Sequence, residues 1–284
     1  MSSPDPSPPP RTNPTDAGRG AAISVRGLRM GYGERILLDK ASFDVQRGEI
    51  LVILGGSGCG KSSLMKNIIG LYPPMAGDVL IAGRSIVAAS PAERASLQRS
   101  LGVMYQSGAL FGSLTVLENV RFPLDQFTDL GLDEKNLTAR LLLRQVEMAD
   151  AEALMPGELS GGMLKRAGIA RAMALGCDIL LLDEPSAGLD PITAANLDRT
   201  ILTLRDTLGF TFVVVTHELQ SIFAIADRAI MLDQVSRSII AEGRPADLRD
   251  TSDDPRVRQF FNRQPTAVAH RADAHRAGAH RAGP

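Results

Sequence analysis

The sequence lacks any apolar run long enough to span a bilayer, and its polar, proline-rich first residues contain no apolar signal core. If the protein serves a membrane, we therefore expect it to do so through a partner. Cysteine is also scarce: Cys59 and Cys177 form no disulfide framework, which favours a reducing cytosol. Neither sign of charge is in excess, because 31 lysines and arginines face 32 aspartates and glutamates, so nothing in the composition indicates nucleic acid as a partner.

The two ends of the chain differ in composition from its middle. Hydrophobic residues make up 44% of the 284 positions, enough for a sizeable core. Residues 1–20 are rich in proline, serine, threonine and glycine, so we expect this segment to be disordered. Residues 265–284 form an Ala/His/Arg-rich tail in which His270, His275 and His280 recur at a step that does not keep them on one helix face. We interpret this tail as solvated and disordered, with metal binding as the alternative.

Strand and helix signals alternate between these two ends. Apolar runs typical of strands occur at 23–26, 41–45, 49–54, 102–105, 179–182, 210–215 and 229–232. Residues 61–71 favour a helix, because Leu64 and Ile68 have i,i+4 spacing. The stretch 107–175 lacks such runs and is predicted to be mostly helical. The sequence therefore predicts a doubly wound α/β core that carries a helical insertion.

Glycine and serine are concentrated between the strand predicted at 49–54 and the following helix. The segment fits the P-loop pattern, and its candidate nucleotide-binding residues are Gly55, Gly56, Ser57, Gly58, Cys59, Gly60, Lys61, Ser62 and Ser63. Its glycines let backbone N–H groups point at phosphate oxygens, and the helix presents its positive N-terminal end to the same anion. Lys61 would bridge the β- and γ-phosphates of ATP, and Ser62 would ligate Mg²⁺. The alternative is a glycine-rich turn before a helix; the position of Cys59 takes any small residue, so its thiol is assigned no catalytic role.

Two acidic residues emerge at the end of the apolar run 179–182. In an open α/β sheet, that end of a strand is where ligands bind. Asp183 would hold Mg²⁺ through water, and Glu184 would polarise the attacking water as a general base. The alternative is that the pair caps a helix, since Pro185 follows.

A second pair of glycines lies in Leu159–Met163, which reads Leu-Ser-Gly-Gly-Met and precedes a helix predicted at 164–175. This segment resembles the signature of the ABC ATPases. In it, Ser160, Gly161 and Gly162 would form a second anion site at a helix N-terminus. The resemblance implies that the P-loop of one chain lies too far from its own signature for both to hold one ATP. Two copies must therefore meet head to tail, with ATP between them.

Four further residues match elements of this family. Gln106 matches the Q-loop glutamine that touches Mg²⁺, and Asp190 matches the D-loop. His217 matches the switch histidine that contacts the γ-phosphate. Tyr32 lies where the family places the aromatic ring that stacks on adenine, with an ordinary turn tyrosine as the alternative. The resemblance covers about residues 22–245 and implies ATP hydrolysis, with ATP and Mg²⁺ as cofactors.

The resemblance also implies a domain organisation. The fold would be α/β, a P-loop NTPase (RecA-like) core with an N-terminal antiparallel β subdomain and an α-helical subdomain that carries the signature. We expect the ATPase domain to span residues 21–245, with the helical subdomain at about 107–175. A C-terminal extension would follow at 246–264.

Three features of the sequence indicate which group of ABC ATPases the chain resembles most. Met163 stands where many ABC ATPases carry glutamine, and its thioether forms no strong hydrogen bond to a ribose. With Ser107–Phe111 and Asp254–Phe260, it resembles the ATPases of MCE-type lipid transporters, the Mla phospholipid system and its relatives. The implied partners are a membrane permease, an MCE lipid carrier and, in some systems, a STAS-domain protein, at the cytoplasmic face of the inner membrane. Ser107–Phe111 should line the groove for a coupling helix of the permease; for Leu110 and Phe111 the alternative is packing inside the helical insertion.

Three other functional classes remain to be weighed. The ATPase of an amino-acid or other small-solute importer would more often end its signature in glutamine. A soluble ABC ATPase of DNA repair or translation commonly carries a long coiled coil or two cassettes, whereas this chain has one cassette and no heptad run. An enzyme that phosphorylates a small molecule would not need the signature or the D-loop.

Overall fold

Two β-sheets and the helices around them make up the computed structural model, which describes residues 20–262. The disorder predicted for the N-terminal segment, apart from Gly20, and for residues 265–284 lies outside the described residues. Within residues 20–262, no helix is both long and apolar enough to cross a membrane.

The described part of the chain contains ten strands and nine α-helices. The strands are β1 (Ile23–Tyr32), β2 (Arg35–Val45), β3 (Ile50–Gly55), β4 (Ala76–Ile81), β5 (Arg84–Ser85), β6 (Leu101–Met104), β7 (Ile179–Asp183), β8 (Thr211–Val215), β9 (Arg228–Asp233) and β10 (Ser238–Gly243). The helices are α1 (Lys61–Ile68), α2 (Pro91–Arg99), α3 (Val116–Phe127), α4 (Leu132–Gln145), α5 (Gly161–Met173), α6 (Pro191–Leu208), α7 (Leu219–Ile225), α8 (Pro245–Thr251) and α9 (Pro255–Phe261).

The smaller sheet is antiparallel and has the order β2-β1-β4-β5. The two short strands predicted at 23–26 and 41–45 are the outer ends of one long hairpin, in which Ile23 pairs with Val45 and Tyr32 with Arg35. Register shifts between these pairs absorb the irregular middle of the hairpin. Because the register shifts interrupt the alternation of apolar and polar residues, the sequence predicted only the outer part of each strand. The hairpin places Tyr32 beside α1.

The larger sheet has the order β10-β9-β3-β8-β7-β6, and only its pairing of β10 with β9 is antiparallel. Both of its faces are covered. Ile50, Val52 and Leu54 of β3 face one hydrophobic cluster, and Leu51 and Ile53 face the other. This double burial explains why the strand runs are continuously apolar. The predicted α/β fold is confirmed.

Three helices, α3, α4 and α5, fill most of the insertion that was predicted at 107–175. Thr115 and Glu118 form a reciprocal capping box that begins α3, and Ser160 caps α5. The last two helices also pack on the core, because Leu248, Val257 and Phe261 are buried in it. The segment predicted as a C-terminal extension therefore packs, as far as it is described, on the same core as the rest of the chain.

Gly102 in β6 supplies a test of this packing. A Cβ at this position would lie 2.4 Å from Leu180 Cδ2 and 2.5 Å from the carbonyl oxygen of Ala172. We expect Gly102→Ala to lower the free energy of unfolding by about 1–3 kcal/mol, because backbone cannot move aside cheaply. Gly157→Ala is the matched control, since nothing lies within 4 Å of a Cβ there. Urea denaturation of both variants measures the difference, and equal midpoints would contradict the packing described.

Candidate active site

The loop from Gly55 to Gly60 joins β3 to α1 at the carboxyl edge of the larger sheet. Gly60 has a φ of 102°, in the left-handed region that favours glycine. A Cβ on Gly55 would lie 2.4 Å from the carbonyl oxygen of Leu232 on β9. No side chain within the described residues caps α1, so its first N–H groups stay available to an anion.

Lys61, the first residue of α1, folds back over this loop. Its Nζ donates hydrogen bonds to the carbonyl oxygens of Gly55 at 2.8 Å and Gly56 at 3.2 Å. A cationic group is thereby held at the mouth of a loop whose N–H groups also favour negative charge.

A hydroxyl and a carboxylate meet next to this loop. Ser62 Oγ donates to Asp183 Oδ1 at 3.3 Å, although the two residues lie far apart in the sequence. Burial raises the pKa of Asp183 above its ordinary value, and the charge of Glu184 adds to that rise, while the hydrogen bond from Ser62 and the charges of Lys66 and Lys61 oppose it. Two oxygen ligands of this kind suit a hard divalent cation.

Glu184 follows Asp183 and contacts a residue from a different strand. Its Oε1 lies 2.8 Å from His217 Nδ1, in the loop after β8. Its Oε2 is buried and has no hydrogen-bond partner among the described residues. A buried carboxylate oxygen without a hydrogen-bond partner is uncommon in folded proteins, so this oxygen marks Glu184 as a candidate functional group.

A cavity of about 460 Å³ collects most of the candidate residues. Eleven of the eighteen predicted site residues line it, namely Tyr32, Ser57, Gly58, Gly60, Lys61, Ser62, Ser63, Gln106, Asp183, Glu184 and His217. The ring of Tyr32 is half exposed, and its hydroxyl lies 3.0 Å from Ser63 Oγ. Gly55 and Gly56 do not line the cavity, but their carbonyl oxygens accept the hydrogen bonds of Lys61. Cys59 is buried, and burial raises the pKa of its thiol.

The signature residues and Asp190 do not line this cavity. Ser160 Oγ accepts from the backbone N–H of Met163 at 3.3 Å at the start of α5. Asp190 Oδ1 accepts from Ile192 N and Thr193 N. Hydrogen bonding with the Thr193 side chain, and then with the Thr193 and Ile192 backbone, holds the pKa of Asp190 below its usual value. Within one chain both residues therefore cap helices; their predicted nucleotide contacts stay predictions.

Three residues at the site were missed by sequence reasoning. Arg35 and Leu37 of β2 line the cavity beside Tyr32. Only the hairpin pairing brings them there, and no motif marks them. Lys165 of α5 is buried next to Gln106 and Glu184, and a lysine in an amphipathic helix normally indicates a solvated face.

Known proteins share both the sequence and the architecture. A family profile described as ABC transporter matches residues 38–187. The intermembrane phospholipid transport system ATP-binding protein MlaF of Escherichia coli K12 is 39% identical over 240 residues, which cover 84% of this chain and 88% of that protein. The probable ribonucleotide transport ATP-binding protein mkl of Mycobacterium leprae is 38% identical over 243 residues, covering 86% of this chain and 69% of that protein.

Solved structures agree. The cassette cbiO1 from Clostridium perfringens, part of the ABC transporter complex cbiONQ, superposes with a TM-score of 0.74 at 27% identity and covers 80% of this chain and 90% of its own. An ATP-binding cassette solved as a dimer in a post-hydrolysis state, bound to ADP and Pi, superposes with a TM-score of 0.70 at 29% identity, covering 78% of this chain and 98% of its own. With the P-loop, the acidic strand end and the signature in one chain, these likenesses lead to one conclusion: the protein belongs to the ABC transporter family, as an ATP-binding subunit that hydrolyses ATP.

Proposed function

We propose that this chain energises lipid movement as the ATPase of an MCE/Mla-type transporter. It binds ATP and Mg²⁺ in the cavity around the P-loop, works as a head-to-tail dimer and drives a permease from the cytoplasmic face of the inner membrane. One observation supports the proposed role of Glu184 in ATP hydrolysis. Glu184 has one oxygen next to His217 and the other buried without a partner in the described part of the chain, and it lines the same cavity as Lys61, Ser62 and Asp183.

The residues present fit a nucleoside triphosphate and its metal ion. Lys61 and the N–H groups at the start of α1 would hold the β- and γ-phosphates, and Tyr32 would stack on the base. Ser62, Gln106 and Asp183 would hold Mg²⁺, since hydroxyl, amide and carboxylate oxygens are the ligands this ion prefers. When bound, the ion supplies positive charge to the phosphate oxygens.

Glu184 performs the proton transfer in this proposal. Its carboxylate accepts the proton of the attacking water, while His217 keeps Oε1 in place. His217 is more than half exposed, so its other side can face the γ-phosphate. Gln106 reaches the same cavity from the loop after β6.

Two substitutions should separate hydrolysis from binding. We expect Glu184→Gln to bind ATP but to hydrolyse it more slowly by roughly two orders of magnitude or more, because the amide cannot accept the proton. Lys61→Ala should instead weaken ATP binding, because the charge on the phosphates is lost. Asp250→Asn, which removes one exposed carboxylate in α8, is the control and should keep wild-type turnover. Undiminished turnover of Glu184→Gln would remove this residue as the base.

The dimer is proposed on two grounds. The signature residues Ser160 and Gly161 are exposed at the start of α5, and Ile192 at the start of α6 is 76% exposed. A relative of the same fold has been solved as a dimer with ADP and Pi. In a head-to-tail arrangement the exposed signature of one copy would close the cavity of the other.

Ser160→Arg should abolish hydrolysis and leave ATP binding to the P-loop of the same chain intact. The long cationic side chain would fill the anion site that the partner's nucleotide needs. Mixed with Lys61→Ala protein, it should recover part of the activity, because one heterodimer site then has an intact P-loop and an intact signature. Steady-state ATPase assays of the single and mixed proteins measure this. Normal hydrolysis by Ser160→Arg alone would show that the composite site is wrong.

The permease groove is proposed around Phe111. The ring of this residue is 45% exposed, packs on Phe122 at 4.7 Å between ring centroids and has the guanidinium of Arg171 5.9 Å from its centre. Asn119 is fully buried and holds the Phe111 backbone on both sides, accepting from its N–H and donating to its carbonyl oxygen. Leu110 instead packs against the core. An exposed aromatic ring on a fixed backbone favours a protein contact.

The lipid cargo is supported by resemblance, not by a described binding residue. MlaF carries phospholipid transport in its name, whereas the name of mkl refers to ribonucleotide transport. We favour lipid because Met163, Ser107–Phe111 and Asp254–Phe260 together resemble the lipid systems. The competing proposal is an importer of amino acids or other small solutes.

Phe111→Asp should abolish co-purification with a membrane permease and leave the isolated subunit folded and active. The reason is that a carboxylate would enter a contact that the permease desolvates. Phe127→Asp is the control, because Phe127 is also an exposed aromatic residue of the helical subdomain, at 59% against 45% for Phe111, but lies at the C-terminal end of α3.

Affinity purification from detergent-solubilised membranes, with a thermal melt of each variant, tests this. The wild type should bring down a permease and an MCE lipid carrier. A collapsed melting midpoint for Phe111→Asp would place the ring in the core. Recovery of a soluble solute-binding protein in place of the lipid carrier would favour the importer.

A further inference from the structure

Lys165 is a buried cation that the proposed mechanism does not use. It lies in α5, and only 6% of the residue is exposed. Its Nζ donates to the backbone carbonyl oxygen of Gln106 and, at 3.3 Å, to that of Glu184. Burying an ammonium group is costly unless its hydrogen bonds are made, so these two carbonyl oxygens determine where the side chain lies.

The Glu184 backbone needs such a contact. Its φ is 48°, in the left-handed region that non-glycine residues rarely adopt. Its N–H donates to the carbonyl oxygen of Val215 on β8 at 2.8 Å. Its carbonyl oxygen accepts from the N–H of Ala187 at 3.2 Å and from Lys165 Nζ at 3.3 Å, so hydrogen bonds hold both sides of Glu184 in a conformation that local energetics disfavour. The direction of the carboxylate therefore depends on α5 as well as on the sheet.

The loop that carries Gln106 is held by the same helix. Arg171 donates to the carbonyl oxygens of Gly108 at 3.2 Å and Ala109 at 2.6 Å, and Lys165 holds that of Gln106. The helix begins at the signature, and Ser160 lies about 7 Å along the axis from Lys165. Helix α5 thus contacts Glu184 and the Gln106 loop of its own chain. In the proposed dimer, the same helix presents the signature at its N-terminus to the partner.

We propose that Lys165 is a positioning residue that fixes Glu184 and the Gln106 loop relative to the signature helix. This inference rests on the proposed roles of Glu184 and of the head-to-tail dimer. In the dimer, Lys165 affects hydrolysis of the nucleotide that is held by the P-loop of its own chain. The signature on the same helix acts on the nucleotide held by the partner.

Steady-state kinetics of Lys165→Met and Lys165→Arg supply the first test. The methionine keeps the unbranched stem of the side chain as far as Cε and removes the ammonium donors. We expect kcat to fall at least about tenfold while KM for ATP changes by less than about threefold, since small misplacements of a catalytic group are costly and the P-loop is untouched. Lys165→Arg retains donors and should recover most of kcat. Unchanged kcat in Lys165→Met, or no recovery with arginine in a folded protein, would overturn the proposal.

If Lys165→Met fails to fold, Lys165→Gln replaces it. Glutamine has a shorter side chain that still ends in an N–H donor group, so this variant should give an intermediate kcat.

A heterodimer with a single working site supplies the directional test. One chain carries Lys61→Ala and the other Ser160→Arg, so only the P-loop of the second chain faces an intact signature. Lys165→Met placed in the Ser160→Arg chain should lower the remaining activity at least about tenfold, because that chain holds the working Glu184. Placed in the Lys61→Ala chain, it should have little effect. Equal losses from both positions would mean that Lys165 only stabilises the signature helix. An inactive parent heterodimer would refute the composite site instead, and the homodimer kinetics would still decide the role of Lys165.

Discussion

The parallel register of β3, β8 and β7 is the constraint on which the candidate site depends. Val215 pairs with Ile53 on one side and with Asp183 on the other, so three distant chain segments end at one edge of the sheet. The P-loop follows the first strand, the acidic pair ends the third, and His217 follows the strand between them. A slip of one residue in either pairing would exchange the two faces of a strand. Because both faces are buried in apolar clusters, such a slip would disturb the core as well as the site.

Helix α5 is the second element that organises the site. The buried Lys165 donates to the carbonyl oxygens of Gln106 and Glu184, and the half-buried Arg171 donates to those of Gly108 and Ala109. Asn119 of α3 does the same for Phe111. The irregular loop between Gln106 and Phe111 is therefore fixed at its backbone by side chains of two helices.

The ATPase identity and the cargo have different support. MlaF and mkl match this chain at 39% and 38% identity, and their names refer to different cargoes. Asp254–Phe260, which contributes to the lipid-transport resemblance, caps and forms α9, and Val257 within it is buried in the core. That segment therefore has a packing role in this chain, so its likeness to the lipid systems does not by itself identify a cargo.

The sequence by itself determined the α/β fold, the strands of the larger sheet other than β10, and the chemistry of the P-loop and of the acidic pair. Those features are local: continuous apolar runs, glycines before a helix, and two acids at a strand end. It missed β4, β5 and β10 because these strands are short or not continuously apolar. Only the tertiary structure decided that Arg35 and Leu37 line the cavity, that Oε2 of Glu184 has no partner among residues 20–262, and that Lys165 is buried. These outcomes depend on contacts between residues far apart in the chain, and the residue types involved, arginine, leucine and lysine, carry no local pattern that distinguishes them from ordinary surface or core positions.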